Sequence, residues 1–160
     1  MKTILIPTDF TADSLSILKT ALNSEQDNKV NIVLGYGINL PWSITDLLYY
    51  SRKSLLKELE SDDFKEAKEI ILNKYGSIIN SIRIEVFHGH NQNAFENYIK
   101  GNKIDCSVLP ESDKTLNFKL KKGFSIIPFI KKSGIPLRTV AYKKDYATTA
   151  QGSLYKLITS

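Results

Sequence analysis

The sequence predicts an α/β fold: a doubly wound, five-stranded parallel sheet with the first strand central. Three observations carry this. Ile4-Leu5-Ile6 is an unbroken apolar run, which reads as a strand buried on both faces. Helical patterns alternate with such runs along the chain and give the order βαβαβαβαβ. No two strands are separated by a two-residue hairpin turn, so the connections are crossovers, which are right-handed.

The elements follow in order. Pro7 stops the first strand because it has no N–H for the ladder. Thr8, Asp9 and Thr11 cluster as turn residues, and Thr11 or Asp13 can accept the first free N–H groups of a helix. That helix repeats apolar residues at Leu15, Leu18 and Leu22. Lys29 to Tyr36 is a second buried strand, ended by Gly35 and Gly37. Ile38 to Tyr50 is rich in apolar and aromatic residues, and serves as core, lid or partner surface. Leu55 to Tyr75 is helical by pattern, with Ser61-Asp62-Asp63 able to cap a second segment and Gly76 just past its end. Ile78 to Phe87 alternates Ile82, Ile84 and Val86 with Arg83 and Glu85, the pattern of an edge strand with one wetter face. Asn91 to Lys100 is a short helix, Ile104 to Leu109 a fourth strand ended by Pro110, and 111–122 a lysine-rich loop. Ser125 to Lys132 is a short helix containing Pro128. Pro136 to Tyr142 is the last strand. The expected organisation is one domain over 1–144 and a tail over 145–160.

Bulk properties narrow the function. The 160 residues are 42% hydrophobic and 24% charged, ordinary for a globular protein. No apolar run is long enough to span a membrane, and the first apolar stretch is interrupted too early for a signal peptide. A single cysteine, Cys106, cannot form an intramolecular disulfide; inside an apolar strand it reads as an inert core thiol. These features point to the cytoplasm. The net charge of +5 is uneven: residues 103–144 hold ten Lys/Arg against three Asp/Glu. A solvated lysine face is the expected role, since no nucleic-acid motif accompanies it and no aromatic platforms interleave with the lysines.

Ile4-Leu5-Ile6-Pro7-Thr8-Asp9-Phe10-Thr11, followed by Ser14 and a helix carrying Ala21-Leu22, resembles the universal stress protein family. Ile104 to Leu109 resembles the family's fourth strand, and Ser133-Gly134-Ile135-Pro136-Leu137 the approach to its last. The resemblance covers about residues 1–142. It implies an adenine-nucleotide alpha-hydrolase-like sheet ordered 3-2-1-4-5 and a homodimer through the last strand. ATP-binding members carry Gly, two residues, Gly, nine residues, Gly, then Ser or Thr after the fourth strand. Here that pattern falls on Pro110, Asp113, Gly123 and Phe124. Only Gly123 survives, so the motif is degenerate. Backbone N–H groups and a helix N-terminus are what such a motif offers phosphate. Pro110 has lost its N–H, Asp113 adds negative charge, and nearby lysines (114, 119, 121, 122) cannot replace a backbone cradle.

The expected function is a stress-protein-like module without ATP or another cofactor, acting through protein contacts or an unidentified ligand. The alternative is a nucleotide- or anion-binding sensor. Ligands of open α/β sheets sit beyond the carboxyl ends of the strands, and a residual pocket there would use Pro7, Thr8, Asp9, Gly123 and Ser125. Capping is the stronger reading of Asp9. The last strand has no successor to cover it, and its edge invites antiparallel pairing with a second copy through Pro136, Leu137, Arg138, Thr139, Val140 and Tyr142. Arg138, Lys143 and Lys144 oppose such pairing. His88 and His90 lack the further ligands of a metal site. No nucleophile elbow, Walker loop or Rossmann triple glycine occurs, and no motif supports an enzyme.

Overall fold

Burial selects the central strand. In the computed structural model, which describes residues 1–25, 28–38, 57, 60–89, 91–111 and 123–141, Ile4, Leu5 and Ile6 of β1 (Lys2–Pro7) are each at most 1% exposed. Strands flank β1 on both sides, as an unbroken apolar run requires. It pairs in parallel with β2 (Val30–Ile38), from Lys2 opposite Val30 to Pro7 opposite Gly35. On its other side it pairs in parallel with β4 (Cys106–Pro110). β3 (Ile79–Phe87) lies outside β2, and β6 (Leu137–Val140) lies outside β4. The parallel path is thus β3-β2-β1-β4-β6. The expected doubly wound order is present, with β3 at an edge as its alternation predicts.

One strand was not foreseen. β5 (Gly123–Phe124) pairs antiparallel with the end of β2, Phe124 opposite Gly37 and Gly123 opposite Ile38. Among the described residues the sheet therefore has six strands, five of them parallel. Gly35 and Gly37 do not end β2 as their composition suggests; both lie inside it.

α1 (Leu15–Asn23) and α2 (Asp62–Lys74) pack together, as do α3 (Gln92–Gly101) and α4 (Ile127–Lys132). α2 starts where Ser61 accepts the Phe64 N–H at 3.2 Å, the expected cap. It closes with Tyr75 as its C-cap, so Gly76 lies just past its end as expected. Asn91 caps α3 in the same way, through the Ala94 N–H. Pro128 falls in the first turn of α4, where a missing N–H costs no bond. The aromatic stretch after Ile38, the 112–122 loop, His90 and the tail from Tyr142 lie outside the described residues.

Two aromatic groups fill opposite faces of the sheet. Phe10 meets Tyr36 at 4.9 Å and Phe64 at 5.2 Å between ring centres, on the side of α1 and α2. Phe87, Phe95, Tyr98 and Phe129 cluster on the side of α3 and α4, with centres 5.1 to 5.5 Å apart.

Candidate functional site

The crevice begins where β1 ends. Pro7 stands opposite Gly35, and the Thr8 N–H makes the next bond, to the Gly35 carbonyl at 2.9 Å. The chain then turns sharply, and Phe10 takes a left-handed conformation with φ of 61°. That is uncommon for a residue with a Cβ, and it is held here by side chains. The Thr8 hydroxyl accepts the Phe10 N–H at 3.1 Å and shares a hydrogen bond with the Ser14 hydroxyl at 2.9 Å. Asp9 Oδ1 accepts from both the N–H and the hydroxyl of Thr11, at 3.0 and 2.5 Å. Thr11 in turn accepts the Ser14 N–H at 3.2 Å. Asp9 therefore closes the turn ahead of α1, whose N-cap is Ser14, and Thr11 carries the link into that helix.

Asp9 also acts on its surroundings. Burial, reinforced by the Asp9 charge, pushes the Tyr36 phenol up to about 12. A buried phenol beside a carboxylate keeps its proton.

The other half of the crevice comes from β5 and the start of α4. Because β5 pairs with β2 at Gly37 and Ile38, just beyond the Pro7–Gly35 pair, Gly123 and Ser125 arrive at the same corner of the sheet as Pro7, Thr8 and Asp9. The five predicted residues thus converge on one stretch of β2. Their polar groups already have internal work. Ser125 Oγ accepts the Ile127 N–H at 3.3 Å. Glu111, the first residue after β4, gives its N–H to the Val140 carbonyl at 3.0 Å.

Sequence reading missed what the two β2 glycines do. Spaced by two, they face the same side of the sheet. A Cβ on Gly37 would lie 2.6 to 2.8 Å from the ring and the carbonyl oxygen of Phe124. One on Gly35 would lie 2.8 Å from Ile126 Cδ1 and from Leu5 Cδ1. Glycine inside a strand marks such a close approach, and this spacing was the signal available.

Two further depressions exist. One of about 180 Å³ is lined by Lys2, Ile4, Glu25, Cys106, Val108 and Arg138, among others. Lys2 and Glu25 pair across it at 2.7 Å. Cys106 is partly exposed here, not enclosed as its strand position suggested, because it is the first residue of β4. Burial pushes its thiol up, away from the reactive form. The other, of about 300 Å³, lies between the end of β3 and α3 and includes His88 and Asn97. Among the described residues no group of three or more His, Cys, Asp or Glu is placed to hold a metal. Among them, too, no helix is long and apolar enough to cross a membrane.

Among the described residues the last strand lies at the sheet edge. β4 bonds the carbonyls of Pro136 and Val140, through the N–H groups of Ser107 and Glu111. Strand alternation then turns the N–H and C=O of Leu137 and Thr139 outward. Leu137 is 42% exposed, whereas Val140 is 8% exposed and packs inward. Arg138, expected to guard this edge, instead donates to the Ala21 carbonyl at 3.3 Å near the end of α1. A cation suits that position.

Such a sheet, with its crevice at the reversal of strand order, defines a doubly wound α/β fold. Among solved structures it shares its fold with the universal stress proteins. It superimposes on hypothetical protein MJ0577 with a TM-score of 0.53 and 20% identity, over 90% of this chain and 98% of that one. A universal stress protein in complex with cAMP gives 0.53 and 16%, over 89% and 98%. Universal stress protein UspA from Lactobacillus plantarum gives 0.50 and 18%, over 89% and 97%. The resemblance read in the sequence is thus borne out in the fold. No protein-family model and no curated protein sequence matches the chain.

Proposed function

We propose that this protein is a universal-stress-protein-like module that does not use ATP and acts in stress response through contact with another protein or with a different ligand. One observation carries the reading: the chain fills its own crevice. Phe124 is seated on Gly37 where ligands of this fold class enter. Pro110 has no N–H, and that of Glu111 is spent on Val140. A phosphate cradle needs such groups pointing outward. No motif of the sequence argues for catalysis, and the reading is non-enzymatic. Titrating the purified protein with ATP by calorimetry at physiological salt tests it, with native mass spectrometry of the protein as isolated. No heat of binding is expected, and tight ATP binding overturns the reading.

A second reading is a nucleotide or anion sensor built on Asp9, Gly123 and Ser125. The convergence of these residues on one corner favours it, as does the cAMP complex of a protein of this fold. A nucleotide found in the isolated protein would promote it.

The module is proposed to work as a cytoplasmic homodimer. The outward N–H and C=O groups of Leu137 and Thr139, with an exposed apolar side chain beside them, support pairing of β6 with a second copy. Arg138, drawn away toward Ala21, leaves less charge against that pairing than the sequence suggests.

A further inference from the structure

We infer that β5 is a self-occluding strap, which holds the switch-point crevice shut with the Phe124 ring and must leave β2 before a ligand can enter. The inference rests on the reading that the crevice is filled rather than loaded with ATP, and it concerns how that filling is released.

Three observations carry it. β2 outruns β1. After the Pro7–Gly35 pair and the Thr8 N–H bond, β2 continues to Ile38, and the place a longer β1 would take is occupied by β5 running the other way. Among the described residues two of the strap, Gly123 and Phe124, pair with β2, against six residue pairs in the β1–β2 ladder beside it. Structure at a sheet end opens locally without unfolding the rest.

The seat is specific. Gly37 leaves room for the Phe124 ring and carbonyl, and Gly35 does the same for Ile126. Two glycines in one nine-residue strand weaken it. Their placement under one segment accounts for both.

The aromatic cluster does not depend on the ring. Phe124 stands 6.1 Å from Phe87 and 6.3 Å from Phe129, at the margin of a group whose other members are 5.1 to 5.5 Å apart. When it leaves, Phe87 and Phe129 keep their contacts with Phe95, and a slot the size of one ring opens between Gly37 and Phe87. That slot suits a planar aromatic group.

Backbone hydrogen exchange on the full chain, read by NMR with and without indole as the probe, tests this. In the wild type, the amides of Gly37 and Phe124, which face each other across the strap, should exchange about tenfold or more faster than that of Val33, and indole should speed the Phe124 amide further. Gly37→Ala should strip protection from Phe124 while the β1–β2 ladder keeps its own. Phe124→Ala, which leaves the backbone intact and serves if Gly37→Ala does not fold, should bind indole about tenfold more tightly than the wild type. Exchange at Phe124 as slow as at Val33, or indifferent to indole, overturns the strap. So does a Phe124→Ala chain with no gain in indole binding. These readouts use no ATP, so failure of the strap and failure of the proposed function are told apart.

Discussion

Thr3 and Asp105 hold each other by two hydrogen bonds. The Thr3 N–H donates to Asp105 Oδ2 at 2.8 Å, and the Asp105 N–H donates to the Thr3 carbonyl at 2.9 Å. A side chain here takes over the ladder one residue before β4 begins and ties the amino ends of β1 and β4. Asp105→Ala leaves a buried N–H without its partner, which costs about 1–3 kcal/mol. Asp105→Asn keeps an acceptor oxygen and should stay close to the wild type. Urea unfolding of both variants checks this, and equal losses would mean that the bond to Thr3 is not what matters.

The Thr8 hydroxyl should prove more than a turn former. It accepts the Phe10 N–H and pairs with Ser14 inside the structure. Thr8→Val keeps the shape and removes both bonds, so a loss of about 1–3 kcal/mol is expected. Thr8→Ser should restore most of it. If Thr8→Val unfolds at the wild-type denaturant concentration, the left-handed turn at Phe10 is held by its ring contacts instead.

Alkaline pH should weaken the fold through Tyr36. Its phenol rises from 10.0 to about 12 on folding, so the folded state binds the proton more tightly than the unfolded chain. That contribution is whole below pH 10 and is lost as pH rises from 10 toward 12. Burial also raises Tyr75 and Tyr98, so Tyr36→Phe should reduce the alkaline slope without abolishing it. Chemical unfolding at a series of pH values measures the slope; an unchanged slope in Tyr36→Phe would reject the assignment.

Assembly through β6 is best probed at Thr139. Val140 packs into the protomer's own core at 8% exposure, so an acidic residue there would damage the fold before any interface. Thr139→Pro removes an outward N–H and leaves the bonds from Ser107 and Glu111 to β6 in place. The wild type should sediment as a dimer and Thr139→Pro as a monomer. A monomeric wild type would end the dimer proposal, and a dimeric variant would move the interface elsewhere.

The parallel core was legible because burial on both faces leaves a direct mark. Ile4-Leu5-Ile6 and Ile32-Val33-Leu34 have no polar face to show, and the alternation from Ile82 to Val86 shows the opposite. The cap at Ser61 was legible for a local reason, since it bonds an N–H three residues on. The site was legible by position, through the ends of strands, but its closure was not. β5 owes its place to Gly37, some ninety residues earlier in the chain, and two residues carry no periodicity to read. The glycines of β2 read as stops because a strand glycine and a turn glycine look alike until the partner is known. Arg138 reads as an edge charge for a similar reason: only the fold brings α1 within its reach.

The central place of β1 has a consequence for how the protein is made. Lys2 to Pro7 find their β2 partners soon after leaving the ribosome, because Val30 to Gly35 follow closely. Their other neighbour comes late, since Ser107, whose hydroxyl bonds the Leu5 carbonyl, lies 102 residues away. During synthesis, β1, β2 and β3 therefore stand as a half-sheet with the buried central strand bare along one side. Bare strand edges are where nascent chains stick to one another. The interval before β4 emerges is the step at which this chain most needs a chaperone, and slowing translation within that interval should lower the yield of folded protein more than slowing it after residue 110.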